Sequence, residues 1–253
     1  MRTVFVGLVA LLMTAVLGPT VVIARLFRVP QGVDSIYARS IRRWARAINW
    51  AAGVRVDIHG AEQLTGKPGA VFISNHVSWF DIFAMASHVP WCSFIAKSEL
   101  RRIPLFGFAA ECAGIVFLDR DNRKQAFESY KVAATEVQRG RAIIVYPEGT
   151  RGQDYHLRPF KKGPFVLSIA SQSPIIPTIV FGSREVMPKG TFRIRSGVIH
   201  LHFLTPVPTQ GLAYDDRSEL MSVVWNRMAD EMRSLYGVGT AEHPIAAEGV
   251  RTE

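Results

Sequence analysis

The chain has 253 residues, 48% of them hydrophobic and 20% charged, a composition and length that suit one sizeable α/β domain with a short appendage and exclude a disordered chain. Thirty lysines and arginines against 21 acids give a formal charge of +9 and imply an anionic partner: nucleic acid, a phosphate-rich substrate or an anionic membrane surface. A mean hydropathy of +0.13 points to contact with lipid, and Cys92 and Cys112, without CxxC spacing, give no support to a disulfide framework or zinc site and fit a reducing cytosol.

No residue from Val4 to Ala24 is charged, a run of about 30 Å as a helix and close to the hydrocarbon thickness of a bilayer. It reads as a membrane-associated segment. Gly18-Pro19 leaves open whether it spans, kinks, tilts or re-enters, since about fourteen residues precede the break. A cleaved secretory leader is the competing reading, with Arg2 as a thin basic start and Val22-x-Ala24 as an arginine-flanked cleavage site. Arg25, Arg28, Arg39, Arg42, Arg43 and Arg46 follow the run, and the positive-inside rule places what comes after at the cytoplasmic face of the cell membrane.

From Asp34 to Ala52, Tyr37, Ile41, Trp44, Ile48 and Ala51 fall in one stripe at helical spacing, with Arg39, Arg42, Arg43 and Arg46 opposite. Such a face either packs on protein or lies in a membrane interface. Four arginines without an acid, directly after a membrane-length run, favour an interfacial helix against anionic phospholipid head groups. Residues 1–52 are therefore expected to form a membrane-associated unit, 53–240 a single domain and 241–253 a flexible tail.

Val54, Val56 and Ile58 alternate with polar residues as a half-buried strand, and 70–73, 93–96, 115–118, 142–146 and 175–181 read as buried strands. Helical spacing runs from Asn122 to Arg139 before Gly140, and a last helix covers Arg217 to Leu235. Arg193 to Leu204 suggests an edge hairpin or strand pair. This alternation predicts an α/β domain with a central mixed sheet covered by helices.

Asn75-His76-Val77-Ser78-Trp79-Phe80-Asp81 lies between an apolar strand and a helical pattern, in a loop of the kind that presents catalytic groups. Ser78 and Asp81 have capping-box spacing, which puts Asp81 in the first helical turn and His76 just outside it. An imidazole held by a carboxylate has one nitrogen fixed as donor and the other free to accept a proton near neutral pH. That pair makes a general base for a hydroxyl, although, taken alone, a loop histidine beside a capping aspartate is more often structural.

Three further segments decide between these readings. Gly114 to Arg120 ends a strand with Asp119 and Arg120, Pro147-Glu148-Gly149-Thr150-Arg151 follows another, and Ile176-Pro177-Thr178-Ile179-Val180 forms a fourth block. With Asn75-His76-x-x-x-x-Asp81 leading them, their order and spacing over roughly 54–208 resemble the glycerolipid acyltransferase family, and within it the bacterial 1-acylglycerol-3-phosphate acyltransferases. The resemblance implies His76 as base, Asp81 as its partner, and Arg120, Glu148, Gly149, Thr150 and Arg151 as acceptor-binding residues. Lys97 also matches a position where the family keeps lysine. An arginine fork suits phosphate, which it grips through two charge-assisted hydrogen bonds. The implied reaction moves an acyl group from acyl-CoA or acyl carrier protein to the sn-2 hydroxyl of a lysophospholipid acceptor, giving phosphatidic acid, with no cofactor. Gly152 stands where many relatives carry serine.

No Gly-x-Ser-x-Gly elbow is present, and neither cysteine has an adjacent base, so direct attack on the thioester is simpler than an acyl-enzyme. His200 and His202 share a strand face but lack a third ligand, and no metal is expected. Lys161-Lys162-Gly163 reaches acceptor phosphate or a nucleotide, or is a solvated turn. No nucleic-acid motif appears. The alternatives are the same chemistry on glycerol 3-phosphate, another lysophospholipid or a lyso-ornithine lipid, a thioester hydrolase, and a non-catalytic lipid-binding protein.

Overall fold

The structure is a computed structural model that describes residues 1–64, 69–119 and 123–238. Its strands are β1 (Val54–His59), β2 (Ala70–Ser74), β3 (Cys92–Lys97), β4 (Val116–Leu118), β5 (Ala142–Val145), β6 (Ile175–Phe181) and β7 (Gly197–Phe203). They form one seven-stranded mixed sheet in the order β1-β7-β6-β2-β5-β3-β4. β6, β2, β5, β3 and β4 run parallel, β7 is antiparallel to β6, and β1 runs parallel to β7 at the outer edge. The expected edge hairpin over 193–204 is corrected: β7 is one interior strand, because β1 pairs along its whole length and takes the edge.

Side chains alternate across the pleat, so a strand apolar at every position must be covered on both faces. Val71 and Ile73 of β2 and Ile143 and Val145 of β5 face one core; Phe72 and Ile144 face the other. Helices α2 (Ile36–Ala52) and α3 (Phe80–His88) cover the second core, and α5 (Arg123–Gln138), α6 (Gly163–Ser171) and α8 (Arg217–Tyr236) the first. Cutting Ile144, fully buried in the sheet, to alanine would cost about 2–5 kcal/mol.

The uncharged N-terminal run is one continuous helix, α1 (Arg2–Leu26), with Pro19 inside it. Over its most apolar 18 residues the mean hydropathy is 2.4, long and apolar enough to cross a bilayer by length and composition. One face packs on the protein: Trp44 Nε1 donates to Thr14 Oγ1 at 3.0 Å, and Gly18 lies against Leu105 and against Ala109 of α4 (Phe106–Cys112). The opposite face leaves Val4, Leu8, Leu11, Leu12, Val16, Ile23 and Leu26 bare.

Ser35 opens α2 by accepting from Ala38 N–H at 3.3 Å, and Gly53, at φ 66, ends it in a left-handed turn. Its apolar stripe does not lie free for a membrane interface. Tyr37, Ile48 and Ala51 are buried among α1, α3 and the sheet, with Ile41 and Trp44 half-buried, since those elements offer this face an apolar partner. Arg39, Arg43 and Arg46 remain outside. The region predicted as a flexible tail, 241–253, lies outside the described residues.

Parallel strands end on the same side. The loops after β2, β3 and β5 therefore meet at one edge of the sheet, the usual position for a ligand crevice in such folds.

Candidate active site

The loop after β2 is fixed before its histidine is reached. Asn75 donates from Nδ2 to the Val180 carbonyl at 2.9 Å and accepts from the Val180 N–H at 2.8 Å, which stitches the loop to β6. The His76 backbone N–H donates to Glu148 Oε1 at 3.0 Å, and its carbonyl accepts from Gly152 N–H at 2.7 Å.

His76 Nδ1 lies 2.7 Å from Asp81 Oδ2, which also accepts the N–H groups of Val77 at 2.8 Å and Ser78 at 2.9 Å. A carboxylate only accepts, so Nδ1 carries the ring proton and Nε2 is left as an acceptor. The predicted capping arrangement is present in altered form. Ser78 N–H bonds Asp81 as expected, but Ser78 Oγ accepts from Phe80 N–H at 3.2 Å and donates to the Met187 carbonyl at 2.8 Å. The Asp81 side chain is fully buried, while the imidazole keeps 13% exposure. The partner is thus shielded and the base remains reachable.

Under the imidazole lies Tyr146, its ring stacked on His76 with centroids 4.0 Å apart and planes 18° from parallel. Tyr146 Oη is buried and has no hydrogen-bond partner among the described residues. Burial, with the Asp81 charge adding to it, holds that phenol well above its ordinary pKa, so it stays neutral.

Glu148, expected at the acceptor, points inward instead. Its Oε1 holds the His76 N–H and its Oε2 accepts from Arg158 Nε at 2.8 Å, while Arg158 also donates to the Thr150 carbonyl. Burial pushes the Glu148 carboxyl up to about 7 against the pull of the Arg158 guanidinium. Gly149 turns at φ 76, a left-handed conformation that favours glycine, and the Lys161 side chain lies beside it. Arg151 sits with its guanidinium 5.1 Å from the Trp79 ring centroid, and Lys189 Nζ donates to its carbonyl at 2.8 Å.

These loops border a cavity of about 540 Å³. His76, Trp79, Lys97, Gly149, Thr150 and Arg151 line its polar end; the rest is apolar wall from α1, α2, α3, β3 and α4, including Leu17, Val21, Ile41, Phe83, Phe94 and Phe106. Lys97, at the end of β3, is paired with the exposed Glu99. The structure therefore gathers His76, Lys97, Gly149, Thr150 and Arg151 on the wall of one cavity, with Asp81 and Glu148 behind His76. Arg120 lies outside the described residues.

Sequence reasoning missed Tyr146 and Arg158. Tyr146 closes an apolar strand run immediately before Pro147, and an aromatic at that junction is the signal that could have found it. Arg158 carried none. His200 and His202 stack with His59, ring centroids 5.8 and 4.3 Å away, and among the described residues no group of three potential ligands is placed to hold a metal ion.

The arrangement can take a proton from a hydroxyl at His76 Nε2 while a long apolar group lies in the cavity and an anion is held near Arg151. Residues 55–181 match the family described as Acyltransferase. The chain is 34% identical over 190 residues to the human 1-acyl-sn-glycerol-3-phosphate acyltransferase alpha, covering 74% of this chain and 67% of that one. It is also 34% identical over 189 residues to the 1-acyl-sn-glycerol-3-phosphate acyltransferase of Saccharomyces cerevisiae, covering 72% and 61%. In fold it resembles the crystal structure of the 1-acyl-sn-glycerophosphate acyltransferase PlsC from Thermotoga maritima, with a TM-score of 0.76 at 20% identity over 94% of this chain and 97% of that one.

Proposed function

This chain belongs to the acyltransferase family, and from that premise we propose that it moves a fatty acyl group from acyl-CoA or acyl carrier protein to the sn-2 hydroxyl of 1-acylglycerol 3-phosphate, giving phosphatidic acid. The observation that carries this reading is the His76–Asp81 pair, 2.7 Å apart, opening onto a large apolar cavity that also receives Arg151.

His76 Nε2 takes the proton of the acceptor hydroxyl as its oxygen attacks the thioester carbonyl carbon. The tetrahedral centre then collapses, the C–S bond breaks, and the imidazolium returns its proton to the departing thiolate. Asp81 stabilises the imidazolium between these steps. Excluding water from the apolar cavity favours the lipid hydroxyl over hydrolysis. The acceptor phosphate is assigned to Arg151, with Lys97 and Lys161 adding charge and Arg120 carried over from the family resemblance. The thioester is a co-substrate, and the chemistry calls for no cofactor or metal.

The same reading puts the protein on a bilayer, at the cytoplasmic face of the cell membrane. α1 packs on α2 and α4 along one side and bares an apolar strip on the other, so it lies along the membrane in one leaflet instead of crossing alone. The exposed arginines of α2 supply charge for anionic head groups.

The test is thiol release from an acyl-CoA in detergent micelles, with and without 1-acylglycerol 3-phosphate, for wild type and His76→Ala. Release that needs the acceptor and vanishes in the variant supports the proposal. Release without acceptor makes the protein a thioesterase, and release with glycerol 3-phosphate or another lysolipid alone changes the acceptor.

A further inference from the structure

We infer that the turn leading into α4, residues 103–108, is a second membrane-inserting element whose partner is the hydrocarbon of a phospholipid bilayer. The inference rests on the proposed lipid acceptor, since it concerns how the protein reaches that substrate.

Three large apolar side chains within six residues face outward here: Ile103 is 45% exposed, Leu105 46% and Phe108 60%. Scattered apolar residues on a surface mean little, but a cluster of this kind marks a contact with something apolar. Leu105 takes a positive φ of 61, a conformation in which leucine is strained and which glycine or asparagine would relieve. A solvated turn has no use for leucine at such a position.

The turn does not stand alone. Leu105 and Ala109 lie against Gly18 of α1, where a Cβ would already be in contact at 3.5–3.6 Å, so the turn abuts the helix that bares Leu11, Leu12, Val16 and Ile23 on its outer side. Exposed basic side chains accompany this surface, with Arg25 in the last turn of α1, Arg28 just beyond it and Arg102 before the turn, while Arg101 is paired with Glu111. Apolar residues rimmed by arginine match the layering of acyl chains beneath anionic head groups. Phe106 of the same segment, with Leu100 before it and Ala110 after it, lines the cavity. Insertion therefore places the cavity wall next to bilayer chains, along a seam between α1 and α4.

Both native cysteines are buried, so Leu105→Cys can carry an environment-sensitive fluorophore on the full chain, with exposed Thr135→Cys on α5 as the control on the other face of the sheet. On vesicles of phosphatidylethanolamine and phosphatidylglycerol, the label at 105 should shift to the blue and be quenched by lipids carrying a nitroxide on the acyl chain, while the label at 135 stays in water. A triple variant, Ile103→Ser, Leu105→Ser and Phe108→Ser, should bind these vesicles at least about tenfold more weakly. Its acceptor-dependent thiol release in micelles should stay within about twofold of wild type, since none of the three lines the cavity. A label at 105 that remains aqueous on bound vesicles, or unchanged vesicle affinity in the triple variant, overturns the inference. So does a blue shift that grows with protein concentration without lipid, which assigns the face to a second copy of the chain. Failure of thiol release in the wild type would sink the catalytic proposal while leaving the vesicle results to stand on their own.

Discussion

The Tyr146 ring lies flat under the His76 imidazole at 4.0 Å, so the imidazole is set by a plate below it as well as by Asp81 at its edge. Stacking contributes the packing and Oη nothing visible, because no described residue receives it. Tyr146→Phe should keep kcat within about twofold, whereas Tyr146→Leu should lower kcat about tenfold with little change in donor KM. Steady-state rates and the pH profile of the two variants check this. Equal losses in both would assign the effect to the hydroxyl.

Asp81 Oδ2 takes three hydrogen bonds, two of them from backbone N–H groups. Asp81→Asn can still receive the backbone donors but removes the charge that stabilises the imidazolium, so kcat should fall by about 10²–10⁴ while the fold is kept. Asp81→Ala leaves two buried N–H groups unpaired and should also cost about 2 kcal/mol of stability, read from denaturant midpoints. An Asp81→Asn enzyme of wild-type activity would remove Asp81 from the role of stabilising the imidazolium.

Glu148 acts on His76 through the backbone, clamped by Arg158. Glu148→Gln keeps an acceptor for the His76 N–H and should retain more activity than Glu148→Ala, for which a loss of about tenfold or more in kcat is expected. The acceptor KM should move little in either. A large rise in that KM would return Glu148 to direct acceptor binding.

Arg151 Ala substitution predicts the opposite pattern. Its guanidinium lies at the cavity's polar end, so Arg151→Ala should raise the acceptor KM about tenfold or more with a smaller change in kcat, and Arg151→Lys should recover part of the loss. Titrating 1-acylglycerol 3-phosphate at saturating acyl-CoA measures both constants.

His202 is 9% exposed, stacks on His59, and lies 2.6 Å by Nε2 from Tyr236 Oη at the end of α8. Burial first, then the neighbouring His59 and His200, depress its pKa from 6.5 to about 4. The unfolded chain therefore binds more protons between these values. Stability is intact above pH 6.5, falls as pH drops towards 4, and the loss from this group is about 2–3 kcal/mol. His202→Gln should flatten that part of the stability curve, measured by urea unfolding from pH 4.5 to 7.5. An unchanged slope would show that the cluster is solvated.

The elements were legible where their pattern was local. Buried strands such as 142–145 and 175–181 announce themselves as apolar runs, and Asp81 follows His76 at a spacing that a strand-to-helix turn converts into a hydrogen bond. What pairs with what was not legible. β7 lies inside the sheet only because β1, some 140 residues earlier, joins it as Val54 to Gly197, and no window of sequence contains both. The stripe on α2 was visible, but not that α1 and α3 would cover it. Arg158 reaches Glu148 through a loop whose path depends on the whole fold, and Tyr146 looked like the end of a core strand because its ring packs like one.

Thr14, Leu17, Gly18 and Val21 make α1 a wall of the cavity, and Gln31, just beyond the helix, receives the buried guanidinium of Arg141. The apolar helix and the cavity are thus one piece of architecture. Trimming the N-terminus would open one side of the cavity and, if it reached Gln31, remove one partner of the buried Arg141, which would keep Glu136 and the Ala113 carbonyl. Conversely, natural variation along the inner side of this helix would alter which chains fit, while variation along its outer side would alter which membrane is chosen, so a single helix can tune both traits independently on its two faces.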